Sequence, residues 1–125
     1  MTEEELGRAV IGAAIKVHSV LGPGLLENAY EPCLVYDLEK LRLRVQRQVP
    51  IPIRYEDLSI DNGYRIDLLV DGRVVVERKS VEQVRAVHRG QLSSYLRLGG
   101  FKLGDLLNFN VPLMRDGITR LVNGI

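Results

Sequence analysis

The chain has 125 residues, a length that suits one compact domain spanning residues 1–125. At 46% hydrophobic and 26% charged residues it has the composition of an ordinary globular protein, and no apolar run is long enough to cross a bilayer. Cys33 is the only cysteine, which excludes an internal disulfide and a thiolate-rich structural zinc site and makes a cytoplasmic address the expectation.

The net charge of +1 hides an uneven distribution. Residues 1–40 carry three Lys/Arg against seven Asp/Glu, whereas residues 41–125 carry fourteen against nine. The stretch from Arg78 to Lys102 contains Arg78, Lys79, Arg85, Arg89, Arg97 and Lys102 against Glu82 alone. Such a stripe either holds a phosphate backbone or is a solvated helix face.

The opening MTEEELGRAV is acidic and amphipathic, unlike the basic start of a secretory leader. Thr2 and Glu5 form a capping-box pattern ahead of Leu6, Val10, Ala13, Val17 and Val20, which recur at helical spacing. Gly22-Pro23-Gly24 ends that helix. A second helix is predicted from about Leu25 to Leu41, with Leu26, Tyr30, Leu34, Leu38 and Leu41 on one side; Pro32 predicts a kink or a late start. Val45 to Tyr55 reads as an edge or irregular strand, because Pro50 and Pro52 cannot donate to a ladder. Asp71-Gly72 marks a hairpin turn. Val84 to Leu98 is helical again, Phe101 to Phe109 is a strand, and a short strand or turn comes next near Gly117–Val122. The expected order is α-α-β-β-β-α-β: an α/β (mixed α+β) domain with a central mixed sheet flanked by helices.

The hairpin GYRIDLLVDGRVVVERKS carries three charges, Asp67, Glu77 and Lys79, in an otherwise apolar pattern. A two-residue loop pairing Val70 with Arg73 would separate Asp67 from Glu77 and Lys79 onto opposite faces. A three-residue loop, Val70-Asp71-Gly72 with Gly72 left-handed, pairs Leu69 with Arg73 and puts all three charges on one face. It also sorts Ile66, Leu68, Val70, Val74 and Val76 onto the other face, and that cleaner sorting favours it. Asp67 and Glu77 then become diagonal neighbours roughly 7–8 Å apart, able to converge on one hard cation such as Mg²⁺. Lys79 would project beside that ion. The plainer reading is a surface salt bridge at the open end of a sheet.

The spacing Asp67…Glu77-x-Lys79 resembles the D…(D/E)-x-K pattern of PD-(D/E)xK nucleases. Gln91-Leu-Ser-Ser-Tyr95 is similar to the Q-x-x-x-Y signature of their RecB-like members, and Gly24-Leu-Leu-Glu27-Asn-Ala-Tyr30 resembles the motif of the GxxExxY protein family, a small branch of that superfamily. The phrases IGAAIKVHSVLGPGLLENAYE, GYRIDLLVDG and LLNFNVP extend the resemblance from about Leu6 to Gly124.

The resemblance implies a restriction-endonuclease-like core and a nuclease that hydrolyses phosphodiester bonds of nucleic acid, DNA foremost, with Mg²⁺ or Mn²⁺. It implies Asp67, Glu77 and Glu27 as metal ligands, Lys79 as the catalytic lysine, and Gln91 and Tyr95 as residues that position lysine, water or phosphate. Arg85, His88, Arg89 and Arg97 are the expected nucleic-acid contacts.

Plainer roles exist for several of these. Glu27 suits a helix first turn through the dipole alone, Tyr95 suits a core, Gln91 suits a cap, and His18 and His88 suit structural hydrogen bonds. Two features depart from the branch: Arg78 stands where an apolar residue is more usual, with room to snorkel, and Pro32 interrupts a helix. A homodimer is expected, its interface away from the Arg85–Lys102 helix face. The competing functions are a catalytically silent module that binds nucleic acid or protein on the same fold, and a structural subunit of a larger assembly.

Overall fold

A computed structural model describes residues 1–124. Helix α1 runs Glu3–Leu21. Its start is a reciprocal cap: Thr2 Oγ1 accepts from Glu5 N–H at 3.1 Å, and Glu5 Oε1 accepts from Thr2 N–H at 2.8 Å. Leu6, Val10, Ala13, Ala14 and Val17 are buried at helical spacing. Val20, expected on the same stripe, is exposed because the last turn runs past the sheet.

Helix α2 spans Glu27–Lys40 and contains Pro32 in its interior, so the helix does not start late. Tyr30, Leu34 and Leu38 are buried, whereas Leu26 and Leu41 flank the helix and are exposed.

Five strands form one sheet in the order β1-β2-β3-β4-β5: β1 Val45–Tyr55, β2 Leu58–Val70, β3 Val74–Lys79, β4 Leu103–Asn108 and β5 Ile118–Val122. All neighbours are antiparallel except β3 and β4, which are parallel and joined by helix α3, Ala86–Gly99. That crossover is what a parallel pair demands. As its prolines indicate, β1 is an edge strand. A short 3₁₀ turn, Met114–Gly117, leads into β5, so the strand or turn expected near Gly117–Val122 is a fifth strand.

The sheet is covered on both faces. Leu6, Val10, Tyr30, Leu34 and Leu38 of α1 and α2 pack on Leu68, Val70, Val74, Val76 and Leu107. Leu92 and Leu96 of α3 pack with Ile66, Leu69, Val75 and Leu106 on the other side. Val87, an apolar position in the first turn of α3, is exposed.

The hairpin differs from the expected register by two residues. Val70 pairs with Val74 and Leu69 with Val75, so the loop is Asp71-Gly72-Arg73 and not Val70-Asp71-Gly72. Asp71 (φ 51°) and Gly72 (φ 67°) are both left-handed, Arg73 N–H donates to the Val70 carbonyl, and Arg73 is the extra residue. Asp71 is also tied to the start of β1: Arg44 N–H donates to its Oδ1 at 2.8 Å, and its own N–H donates to Arg44 O at 2.7 Å. A shift of two preserves parity, so Gly72 is left-handed as expected and the charges keep their common end of the sheet.

Ile66 corrects the expected sorting. It packs with Tyr64, Leu69 and Val75 against α3, whereas Leu68 and Val70 face α1 and α2. The spacing along the α3 face therefore jumps from two to three at Asp67. On β1 the same switch separates Val45 from Val49 and Ile51, and Gln48 between them has φ 52°. Alternation resets in both strands at the level of Asp67.

Candidate metal centre and its surroundings

Continuing the β2–β3 register sets Asp67 level with Glu77, closer than the diagonal expected. Asp67 uses Oδ2 to accept from Arg78 N–H at 3.0 Å, in place of a regular ladder contact. Glu77 is only 7% exposed, and its Oε1 is buried with no hydrogen-bond partner among the described residues. Two carboxylates cannot donate to each other, so a proton or a cation must stand between them. In the metal-free protein it is a proton: burial, then the Asp67 carboxylate beside it, push the Glu77 carboxyl up to about 9, with Lys79 acting weakly the other way.

Lys79 ends β3, half-buried, and its register partner on β4 is Asn108. Among the described residues no carboxylate lies within 4.0 Å of its amine, so the surface salt bridge of the plainer reading does not form. Asn108 anchors the segment after Lys79: its Oδ1 accepts from Val81 N–H (3.1 Å) and Asn110 N–H (3.2 Å), and its Nδ2 donates to Val81 O (3.0 Å). The chain leaving Lys79 is thereby held fast.

Tyr95 of α3 reaches this end of the sheet. Its hydroxyl is raised first by burial and then by the charges of Glu77 and Asp67, while a hydrogen bond from Gln91 opposes the shift. Tyr64 of β2 stacks on Tyr95, centroids 4.3 Å apart, and donates to its backbone carbonyl at 2.9 Å. Gln91 itself is exposed.

The Gly24–Tyr30 motif divides into two jobs. Gly24 has φ 94°, which favours glycine. Tyr30 is fully buried, stacks on Phe109 at 4.3 Å, donates to Gly22 O at 2.7 Å and accepts from Leu25 N–H at 3.1 Å. It shapes the loop that leads into α2. Glu27 is the first residue of α2 and half-buried. Among the described residues no three His, Cys, Asp or Glu side chains gather closely enough to form a metal cluster, so the acid pair is Asp67 with Glu77.

The remaining expected contacts lie along α3. Arg85 and Arg89 are exposed at its start, on the end of the sheet where β3 finishes, while Arg97 is in the last turn, ~12 Å further along the axis than Arg89. His88 accepts from Arg85 N–H through Nδ1 at 3.0 Å, capping the helix. His18 is buried with Nε2 at 2.7 Å from Val111 O, a structural tie.

Sequence reading missed the buried polar layer beneath the acid pair. Arg78 does not snorkel: it turns under the end of the sheet, its Nε 3.0 Å from Glu31 Oε1 as an ion pair without hydrogen-bond geometry, its NH1 3.6 Å from Asp67 Oδ2, and its NH2 donating to Asn28 Oδ1 at 3.0 Å. Glu31, 3% exposed, accepts hydrogen bonds from Arg47 (2.8 Å) and from Gln48 Nε2 (3.1 Å). The signal was Arg78 itself, an arginine at an inward-facing strand position that needs a buried acid nearby.

A family model for the PD-(D/E)XK nuclease superfamily matches residues 4–121. The chain belongs to that superfamily. Comparisons with curated proteins and with solved structures return no match. The mixed sheet between helices agrees with a restriction-endonuclease-like fold. Superfamily nucleases generally use divalent ions, and the acid pair fits one: an orphaned, buried Glu77 oxygen beside the Asp67 carboxylate offers hard oxygen donors that a cation would satisfy.

Proposed function

We propose that this protein is a divalent-metal-dependent nuclease that hydrolyses phosphodiester bonds of DNA. The observation that carries the reading is the Glu77 Oε1 atom, which among the described residues is buried without a partner, beside a second carboxylate and two residues from a lysine in no ion pair with the described carboxylates. Asp67 and Glu77 would hold Mg²⁺ or Mn²⁺, with Glu27 at the start of α2 contacting the ion directly or through water. Once bound, such an ion lowers the pKa of water and offsets negative charge on phosphate. Lys79 orients the attacking water and neutralises the phosphate oxygens. The attacking water gives up one proton to solvent as its oxygen bonds to phosphorus, the P–O bond to the leaving strand breaks, and the departing oxygen takes up a proton from solvent. Tyr95, steadied by Gln91 and Tyr64, closes the α3 side, and Arg85, His88, Arg89 and Arg97 contact the phosphate backbone.

Lys79→Ala tests the chemistry, because it removes the cation and leaves both acids in place. It is expected to abolish cleavage of DNA while retaining Mn²⁺ and DNA binding; Asp67→Ala is expected to lose ion binding and cleavage together. Equal cleavage by wild type and Lys79→Ala would overturn the reading. DNA binding without cleavage under any divalent ion would leave the silent nucleic-acid-binding module in its place.

We also propose a homodimer through the outer face of α1 and α2, opposite α3. Val17, Val20, Leu21, Pro32, Cys33 and Tyr36, together with the ion-paired Lys16 and Asp37, line a largely apolar groove of about 310 Å³ there. Sedimentation as a monomer throughout the micromolar range would refute it.

A further inference from the structure

The ladder breaks at Asp67, so β-sheet geometry alone does not aim its carboxylate. Regular alternation fails in β1 and β2 together, at Gln48 and Asp67, and a strand reset of this kind needs something to hold it. Three groups do so from below. Gln48 donates to Glu31 Oε1, Arg78 N–H donates to Asp67 Oδ2, and the Arg78 guanidinium lies between Asp67, Glu31 and Asn28. Asn28 directly succeeds Glu27 in the chain. One side chain thus touches the β2 acid, the helix that carries the second expected acid, and the buried carboxylate that anchors the reset.

We propose that Arg78, seated on Glu31, is a positioning residue that aims Asp67 and locks the start of α2 for cation binding. This assignment rests on the metal-dependent reading of the site. The planar guanidinium of arginine suits the task, because its rigid shape lets one cation ion-pair with Glu31 and Asp67 while NH2 donates to Asn28, an arrangement the single ammonium of lysine cannot reproduce. Ser80, two residues on, adds a second tie by donating to Leu25 O. Glu31 in turn is held in place by hydrogen bonds from Arg47 and Gln48.

The sign of the expected effect separates positioning from simple electrostatics. Arg78 is a positive charge 3.6 Å from a proposed cation ligand, so its charge alone weakens cation binding. Neutralising it should strengthen binding if charge is all that matters, and weaken it if Arg78 aims the ligand. Arg78→Met alone strands a buried Glu31, so the test uses Glu31→Gln/Arg78→Met, which removes both charges and keeps similar volume.

Mn²⁺ affinity is measured by calorimetry on the full chain, and folding by thermal melting without metal. The expected result is a folded double variant whose Mn²⁺ affinity falls at least tenfold, with Arg78→Lys recovering only part. A folded double variant that binds Mn²⁺ as tightly as wild type, or more tightly, overturns the assignment alone. Wild type that binds no Mn²⁺ overturns the underlying site reading and this assignment with it. If the double variant does not fold, Arg78→Lys decides: undiminished Mn²⁺ affinity overturns the proposal, and a loss despite the retained charge supports it.

Discussion

Asp105 and Glu77 are acids on adjacent central strands, both almost removed from water, and the protein treats them oppositely. Asp105 of β4 is 0% exposed, and Arg120 of β5 grips it with two parallel bonds, Nε–Oδ1 at 2.9 Å and NH2–Oδ2 at 3.1 Å. Glu77 of β3 has an oxygen with nothing to bond. Burial raises the pKa of both, but Arg120 pulls Asp105 back, whereas Asp67 pushes Glu77 further up to about 9. Glu31 belongs with Asp105, since it is buried and surrounded by donors. Buried charges that serve the fold are paired. The acid left unpaired, beside another acid, is the one that the metal-dependent reading assigns to a cation.

The sharpest way to break this contrast is to unpair Asp105. Arg120→Ala should cost about 3 kcal/mol of stability, because the remaining carboxylate stays buried without its cation. Urea denaturation measures it. A loss below about 1 kcal/mol would mean that the Asp105–Arg120 pair is not the structural counterpart of the Asp67–Glu77 pair.

The effect expected from Glu77→Gln grows with pH, and its sign is opposite over much of the pH range. The folded-state value near 9 stands above that of an unfolded glutamate, so the folded metal-free protein holds a proton there that the unfolded chain releases. This contribution to stability is fully present below the ordinary glutamate range and is lost as pH rises through about 9, by up to about 1.4 kcal/mol per pH unit. Glu77→Gln removes that slope, so thermal melts from pH 5 to 9 should decline less for the variant than for wild type. Parallel declines would show that Glu77 titrates normally.

Much of the fold could be read from the chain because its signals are local. The Thr2–Glu5 cap, the Gly-Pro-Gly break, the prolines of β1 and the stripe Tyr30-Leu34-Leu38 each act within a few residues. The turn register was two residues off because Asp71 is fixed by Arg44, a contact across 27 positions. Ile66 fell on the unexpected face because the reset at Gln48 and Asp67 depends on Glu31, which lies in another element. At the site, Asp67 and Glu77 were found by their spacing, since charges in an apolar hairpin need a reason. Arg78 was read as a departure from pattern and a candidate to snorkel, because its partners Asp67, Glu31 and Asn28 come from β2 and α2 and no local signal joins them. Tyr64 escaped notice for the same reason: its stacking on Tyr95 spans 31 residues.

The claim that Glu77 awaits a cation is tested most directly by titrating Mn²⁺ into wild type and Glu77→Gln at several pH values, in buffers of differing ionisation enthalpy. Binding must displace the Glu77 proton, so wild type should take one ion at the acid pair, release close to one proton at neutral pH, and gain about tenfold in affinity per pH unit until roughly pH 9. Glu77→Gln should bind far more weakly and without that proton release. Equal binding by the two proteins, or wild-type binding with no proton released, would contradict the account.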